Sequence, residues 1–196
     1  MKESYDFILS GLEVDYYSER ETELQEFMDD VGNELDFIAG AIHEWIPKYP
    51  ITLREKVIEL MKKIPLKQII DEFFQATESM ITSGIFKNIC HVDTIFRYIN
   101  ENDIPPTKDC DVSNDRVIEI GRICKEKNIA MEYNLSGFKF PIKRSFPSKE
   151  VASQLREEGM NFFIGSDSHS TEQFKLTIPK LKRAHEFLNL NYKSRY

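Results

Sequence analysis

Three of the four histidines in this 196-residue chain stand at or just beyond the C-terminal ends of predicted strands, and acidic residues accompany them. These residues are His43, His91 and His169, together with Glu13, Glu132 and Asp167. Imidazole and carboxylate groups together suit zinc, manganese or iron, and a carboxylate that bridges two ions is a recurrent way to hold a hydroxide nucleophile. The set therefore predicts a divalent-metal site.

Each histidine also has a plainer interpretation. A single histidine at the end of a strand is more often a hydrogen-bonded structural group than a metal ligand, so neither His43 nor His91 alone would indicate a metal. Their occurrence together with the carboxylates favours the metal site. His185 lies inside the last predicted helix without such neighbours, and we interpret it as an ordinary helix residue.

The segment Gly165-Ser166-Asp167-Ser168-His169 is the most informative, because a strand runs into a carboxylate and an imidazole two residues apart. An extended backbone would point both side chains to the same side. The alternative is a turn in which Asp167 caps the next helix, and the two roles can coexist.

Short apolar runs alternate with stretches of helical periodicity, which is typical of βα units around a largely parallel sheet. The strands are predicted over residues 8–17, 37–43, 89–95, 129–135 and 162–166. Helices are predicted over residues 19–31, 53–63, 66–83, 113–127 and 148–158, and from residue 172 or 179 to residue 188. Because the C-terminal ends of parallel strands converge on one face, residues far apart in the sequence can meet there.

Composition indicates one globular domain. Hydrophobic residues make up 41% of the chain and charged residues 30%, which argues against disorder, collagen and coiled coil. The net charge of -7 argues against a general affinity for nucleic acid or for anionic membranes, although it does not exclude a local anion pocket.

Targeting signals and cysteines point to the cytoplasm. No apolar stretch approaches the roughly 20 residues that span a bilayer, and the first residues lack the apolar core of a signal peptide. The three cysteines show no Cys-x-x-Cys spacing, so we expect reduced thiols and no thiolate zinc site.

Five short motifs, in order along the chain, resemble the polymerase-and-histidinol-phosphatase (PHP) superfamily in its histidinol-phosphatase branch. They are Gly11-Leu12-Glu13-Val14-Asp15-Tyr16, Gly40-Ala41-Ile42-His43, His91-Val92-Asp93, Glu132-Tyr133-Asn134-Leu135-Ser136-Gly137 and Gly165-Ser166-Asp167-Ser168-His169. The resemblance implies an α/β fold, a distorted (βα)7 TIM-like barrel, with up to three zinc, manganese or iron ions. It also implies hydrolysis of a phosphomonoester, histidinol phosphate in histidine biosynthesis, by attack of a metal-bridging hydroxide.

The resemblance assigns roles to individual residues. Glu13 matches the bridging carboxylate, and His43 and His91 match the ligands that complete one metal site with it. Asp167 and His169 match ligands to the other two ions. A further pair, Glu132 and Asn134, matches a strand near the pocket, in support of the ligands rather than in direct ligation.

The chain departs from the family pattern before Glu13, where nothing supplies the family's His-x-His motif or the strand-end histidine that follows it. We therefore expect residues 1–196 to form a single PHP domain, an incomplete barrel without its first strand-helix units. One metal site would keep its ligands, two would be depleted, and phosphatase activity would be low. A second copy or a complementing chain would cover the open sheet edges.

A phosphorylated substrate needs cationic partners. The candidates are Lys139 and Arg144 in the loop after the Glu132 strand, and Arg97, six residues after His91. The alternative is that these charges belong to a solvated surface. The family resemblance places a basic residue just after Ser136-Gly137, which favours Lys139.

Three functional hypotheses remain from the sequence. The first is a histidinol-phosphatase-like hydrolase, and the second is a hydrolase of another phosphomonoester or a nucleotide. The third is a non-catalytic metal-binding remnant, or one half of a split phosphoesterase completed by a separate chain.

Overall fold

The computed structural model of the chain describes residues 9–190, and over that range strands and helices alternate as the sequence predicts. The strands are β1 (Gly11–Asp15), β2 (Phe37–Ala41), β3 (Asn88–Ile89), β4 (Ala130–Asn134) and β5 (Phe162–Gly165). The α-helices are α1 (Glu21–Val31), α2 (Arg54–Met61), α3 (Leu66–Thr82), α4 (Asn114–Glu126), α5 (Lys149–Glu157) and α6 (Thr171–Leu188). Within residues 9–190, none of these helices combines the length and the apolar character needed to cross a bilayer.

All five strands are parallel and lie side by side in their order along the chain, so that β1 and β5 form the two edges of the described sheet. In the register of the first pair, Glu13 lies opposite Ala39 and Asp15 lies opposite Ala41. Because side chains alternate between the faces of a strand, Glu13 and Asp15 share one face with these two alanines.

The sheet is strongly curved. The rings of Phe37 in β2 and Phe163 in β5 are in edge contact, with centroids 5.1 Å apart, although β3 and β4 lie between their strands. In a flat sheet three strand spacings would separate them by about 14 Å. The face that carries Phe37 and Phe163 is therefore concave, and the small side chains of Ala39 and Ala41 are buried there.

Helices cover the opposite face and build the main core. Helix α3 shows how its sequence achieves this, because its buried residues recur every three or four positions and form one apolar stripe. That stripe consists of Leu66, Ile69, Ile70, Phe73, Phe74, Thr77, Met80 and Ile81. The concave face is thus left for the residues that could carry chemistry.

The prediction of a strand over residues 89–95 was wrong beyond Ile89. The chain leaves the sheet at Cys90, and a short 3₁₀ helix, Thr94–Arg97, follows. The backbone N–H of His91 donates to Glu132 Oε2 at 2.9 Å instead of joining a strand ladder. The apolar residues of the predicted strand are buried, but those from residue 94 onward are buried in the 3₁₀ helix and not in the sheet. The first strand is also shorter than predicted, and residue 8, where it was predicted to begin, lies outside the described residues.

Gly165 allows β5 to approach Glu132 of β4 closely, and this contact gives a test of the packing. A Cβ at Gly165 would lie 1.5 Å from Glu132 Oε1. Glu132 is buried and its other oxygen already accepts hydrogen bonds from His91 and Asn134, so it cannot withdraw freely. We expect Gly165→Ala to lower the free energy of unfolding by about 1–3 kcal/mol, measured by urea denaturation.

The matched control is Gly32→Ala, because no neighbouring atom of the described residues lies within 4 Å of a Cβ at Gly32. Gly32 has a helical backbone with a φ of -58°, so alanine there should leave the free energy of unfolding unchanged or raise it by up to about 1 kcal/mol. If Gly165→Ala were as stable as this control, the close approach of β5 to Glu132 would be contradicted.

Candidate metal centre

Three side chains from three neighbouring strand ends converge on one point. Glu13 lies in β1, His43 follows β2 and His91 follows β3. The Oε1 atom of Glu13 lies 3.0 Å from His91 Nε2 and 3.3 Å from His43 Nε2, and the two Nε2 atoms are 3.2 Å apart. Ligand atoms on a tetrahedral zinc ion, bound at about 2.0–2.1 Å, lie about 3.3 Å from one another. The three donor atoms therefore already have the separation that one ion requires.

Asp15 determines how His43 presents its lone pair. The His43 Nδ1 atom lies 2.7 Å from Asp15 Oδ1, and this short contact is a hydrogen bond in which the imidazole donates to the carboxylate. Nε2 of a neutral His43 is then unprotonated and faces the other two donor atoms. A carboxylate that holds the far nitrogen of a ligating histidine is a common support in metal sites. Asp15 was not among the predicted site residues, although it lies two residues after Glu13 and so on the same face of β1.

His91 is held from its backbone. The side chain is buried, with 2% of its surface exposed, and Glu132 Oε2 accepts hydrogen bonds from the His91 backbone N–H and from Asn134 Nδ2, both at 2.9 Å. The backbone of His91 has a φ of 24°, a conformation that costs a non-glycine residue about 1–3 kcal/mol and that is often found at functional sites. Glu132 and Asn134 thus lie behind His91, where they can support it.

The electrostatics of the cluster favour a cation. Burial raises the pKa of Glu13, but the hydrogen bond and charge of His91, with the charge of His43, outweigh burial and leave that pKa below its ordinary value. Burial lowers the pKa of His91, but Glu13 and Glu132 outweigh burial and leave it raised. Glu13 and His91 thus stabilise each other's charged forms. A divalent ion would compete with protons for these ligands, since metal binding to such ligands releases protons.

Asp167 and His169 lie apart from this cluster, although both line the cavity into which the cluster opens. Asp167 Oδ1 lies 3.0 Å from His169 Nε2, and the His169 side chain is 82% exposed. Among residues 9–190, only Glu13, His43 and His91 bring three ligand atoms of His, Cys, Asp or Glu within 4.8 Å of one another.

Ser170, rather than Asp167, caps α6 by accepting from the backbone N–H of Gln173, so the capping alternative for Asp167 was wrong.

The donor cluster opens into a cavity of about 680 Å³. Its lining residues are Glu13, Asp15, Tyr17, His43, Glu44, Pro50, Thr52, Arg97, Asp167 and His169. Arg97 carries the permanent positive charge among them. Its guanidinium lies 4.3 Å from the centre of the Phe140 ring, and its Nη2 donates to Thr94 Oγ1 at 3.2 Å.

The other two candidate cations, Lys139 and Arg144, are not among the residues that line the cavity. Lys139 Nζ donates to the backbone oxygen of Asp167 at 3.0 Å. Arg144 Nη2 forms an ion pair with Asp93 Oδ2 at 2.8 Å, and Asp93 is almost fully buried. Nothing in the sequence spacing indicated that Arg144 and Asp93, about fifty residues apart, would form a pair.

Two known proteins are distantly similar to this chain. No protein-family model matches the chain. The chain is 22% identical over 161 residues to a Deinococcus radiodurans protein whose name provisionally assigns it as a histidinol-phosphatase, a match that covers 81% of this chain and 56% of the relative. The chain thus spans about half the length of this curated relative.

A crystal structure of a Listeria monocytogenes protein, also named provisionally as a histidinol phosphatase, has a similar fold. The TM-score is 0.67 at 18% identity, and the match covers 88% of this chain and 68% of that one. The relationship is distant. It supports the resemblance predicted from the motifs at the level of a histidinol-phosphatase-like fold.

The hydrogen bond between Asp15 and His43 predicts an effect on metal affinity. Asp15→Asn keeps the size of the side chain but removes the negative charge that orients and polarises the imidazole. We expect zinc affinity to fall by about tenfold, the lower end of what such supporting residues contribute. Competition with a chromophoric zinc chelator measures this affinity directly.

Asp36→Asn is the matched control, because Asp36 accepts a hydrogen bond from the backbone of Ser10 and lies outside the cavity. Its zinc affinity should equal that of the unmodified chain. Equal affinities for Asp15→Asn and the unmodified chain would show that Asp15 does not support a metal ligand.

Proposed function

We propose that the chain is a metal-dependent phosphomonoester hydrolase of the histidinol-phosphatase branch of the PHP superfamily. In this proposal its five strands correspond to part of a distorted (βα)7 TIM-like barrel, with the site at the C-terminal rim. The observation that carries the proposal is the convergence of Glu13, His43 and His91 on one point. The names of the two distant relatives support the same reaction class.

Glu13, His43 and His91 would hold the ion, which is zinc, manganese or iron because two imidazoles and a carboxylate suit these metals. When bound, such an ion supplies an activated water and stabilises negative charge on phosphoryl oxygens. The chain's own part is positioning. Asp15 fixes the tautomer of His43, and Glu132 fixes the backbone that presents His91.

Arg97 is the group we assign to the substrate phosphate. It is 7% exposed and lines the cavity, and its Nε has no hydrogen-bond partner among the described residues. A buried donor without a partner is costly, and an arginine fork matches the oxygens of a phosphate. The predicted contacts of Lys139 and Arg144 with the phosphate are weaker proposals, because their described partners are Asp167 and Asp93.

The cavity suits a substrate that carries positive charge as well as phosphate. Its volume of about 680 Å³ lies in the range typical of small-molecule sites. Carboxylates of Glu13, Asp15, Glu44 and Asp167 line it beside Arg97. Histidinol phosphate has an ammonium group and an imidazole next to its phosphate, so that Glu44, which is not assigned to the metal, could receive the ammonium.

A second candidate is a metal-binding chain without turnover of its own, or one half of a split phosphoesterase. The observation that favours it is that residues 9–190 assemble a single three-ligand cluster, while Asp167 and His169 bring only two donor groups together. We accordingly propose one tightly bound ion per chain. The ligands predicted for two further ions would bind only weakly.

The test is turnover of histidinol phosphate against a panel of other phosphate esters, with the bound metal counted on the same sample. The first candidate predicts hydrolysis with preference for histidinol phosphate and about one ion per chain. Glu13→Gln should lose more activity than the about 10–100-fold typical of residues that only support a ligand. Glu126→Gln, on the exposed side of α4, is the matched control and should keep full activity.

The outcomes separate the candidates. Preference for a different ester would retain the reaction and reject histidinol phosphate as the substrate. A bound ion without turnover of any ester would contradict the first candidate and support the second. A chain that takes up no divalent ion would contradict both.

A further inference from the structure

The two ends of the curved sheet carry opposite charge. We define the acidic end as residues 9–36, which contain β1 and α1, and the basic end as α6 with Phe138. Residues 18–36, which include α1, contain eight acidic residues and one arginine. Helix α6 contains four lysines and arginines and two glutamates. The negative net charge of the chain is therefore concentrated at one end of the sheet.

Both ends also expose apolar side chains. Nine large hydrophobic residues are exposed among the described residues, and seven of them lie at these two ends. Leu9, Leu12 and Phe27 lie at the acidic end, and Phe138, Phe174, Leu176 and Ile178 at the basic end. Scattered exposed leucines are ordinary, but apolar groups clustered among charges mark interaction surfaces.

The sheet edges lie at the same two ends. Within residues 9–190, β1 pairs only with β2 and β5 pairs only with β4. Each edge strand therefore leaves one side without a strand partner. Most proteins protect such edges with lysine, proline or a bulge, and β1 (Gly11–Asp15) contains neither of these residues.

Among the described residues, the charges at these ends are largely without a partner of opposite charge. On α6, Lys175, Lys180, Lys182 and Arg183 form no ion pair with another described residue, and Lys180 lies over the Phe138 ring at 5.8 Å. On α1, Glu23 pairs with Arg20, whereas Glu26 and Asp30 pair with no described cation. Each end thus presents the charge that the other end lacks.

We propose that the chain forms a two-fold symmetric dimer with a second copy, in which the acidic end of each copy contacts the basic end of the other. Opposite charges then meet, whereas a contact between two identical ends would place like charges together at a cost of several kcal/mol. Two copies related by a half-turn can form two such contacts and leave no end uncovered. An anionic surface would suit only the basic end, so a second copy accounts for more of the observations. The charged residues to which we assign the contact, Glu26, Asp30, Lys180 and Arg183, are not part of the proposed metal site.

Sedimentation velocity of the full 196-residue chain, from micromolar to millimolar concentration, tests this. We expect a reversible dimer that weakens when salt is raised from 0.15 to 1 M, because the screening length falls from about 8 Å to about 3 Å. Lys180→Glu with Arg183→Glu should raise the dimer Kd at least about tenfold, and Glu26→Lys with Asp30→Lys should do the same.

Mixing the two double variants is the decisive step. One variant has two acidic ends and the other has two basic ends, so opposite charges meet at both contacts of a mixed dimer. A one-to-one mixture should dimerise although neither variant does alone. Glu119→Lys with Glu126→Lys, on the exposed side of α4, makes the same charge change elsewhere and should leave the dimer intact. Thermal unfolding followed by circular dichroism checks that each variant is folded.

Three results would overturn the proposal. These are a chain that stays monomeric at every concentration, a dimer that both charge reversals leave unchanged, and double variants that fail to dimerise when mixed. In the first case, binding to phosphatidylserine-containing vesicles would assign the basic end to a membrane surface instead.

Discussion

The crowding of one carboxylate oxygen and two imidazole nitrogens within 3.3 Å of one another is the constraint on which the rest of the site depends. Three electron-rich atoms at such distances repel unless a proton or a cation lies between them. Neighbouring side chains hold the three atoms in this arrangement. Asp15 keeps the Nε2 lone pair of His43 directed at the cluster, and Glu132 keeps His91 in a left-handed backbone conformation.

Curvature of the sheet makes this arrangement possible. Glu13 and His91 come from strands that are not neighbours, and they meet because the sheet bends around the small side chains of Ala39 and Ala41. Gly165 has a related role, since it lets β5 approach Glu132 closely. The same curvature places Asp167 and Arg97 on the wall of the cavity into which the cluster opens. Small residues on the concave face are therefore as necessary to the site as the ligands.

Much of this could be predicted from the sequence, because parallel strands in chain order bring their C-terminal ends together. That rule placed the strand-end histidines and the acidic residues that accompany them at one rim, and the family resemblance selected Glu13, His43 and His91 among them as one metal site. It could not reveal Asp15 as the partner of His43 or the buried pair of Asp93 and Arg144, because those contacts depend on side-chain directions after the sheet curves. The strand predicted from Ile89 onward was wrong for a similar reason. Apolar character indicates that residues are buried, but it does not reveal that the His91 backbone N–H bonds to Glu132 instead of to a neighbouring strand.

X-ray absorption at the zinc edge of the zinc-loaded chain reports the identity and distance of the ligands, and so tests whether Glu13, His43 and His91 share one ion. We expect a first shell of nitrogen and oxygen at about 2.0–2.1 Å, with the outer scattering of two imidazoles. His43→Ala should remove the scattering of one imidazole, whereas His185→Ala, in α6, should not. A zinc shell made only of oxygen, or one that His43→Ala leaves unchanged, would contradict the account.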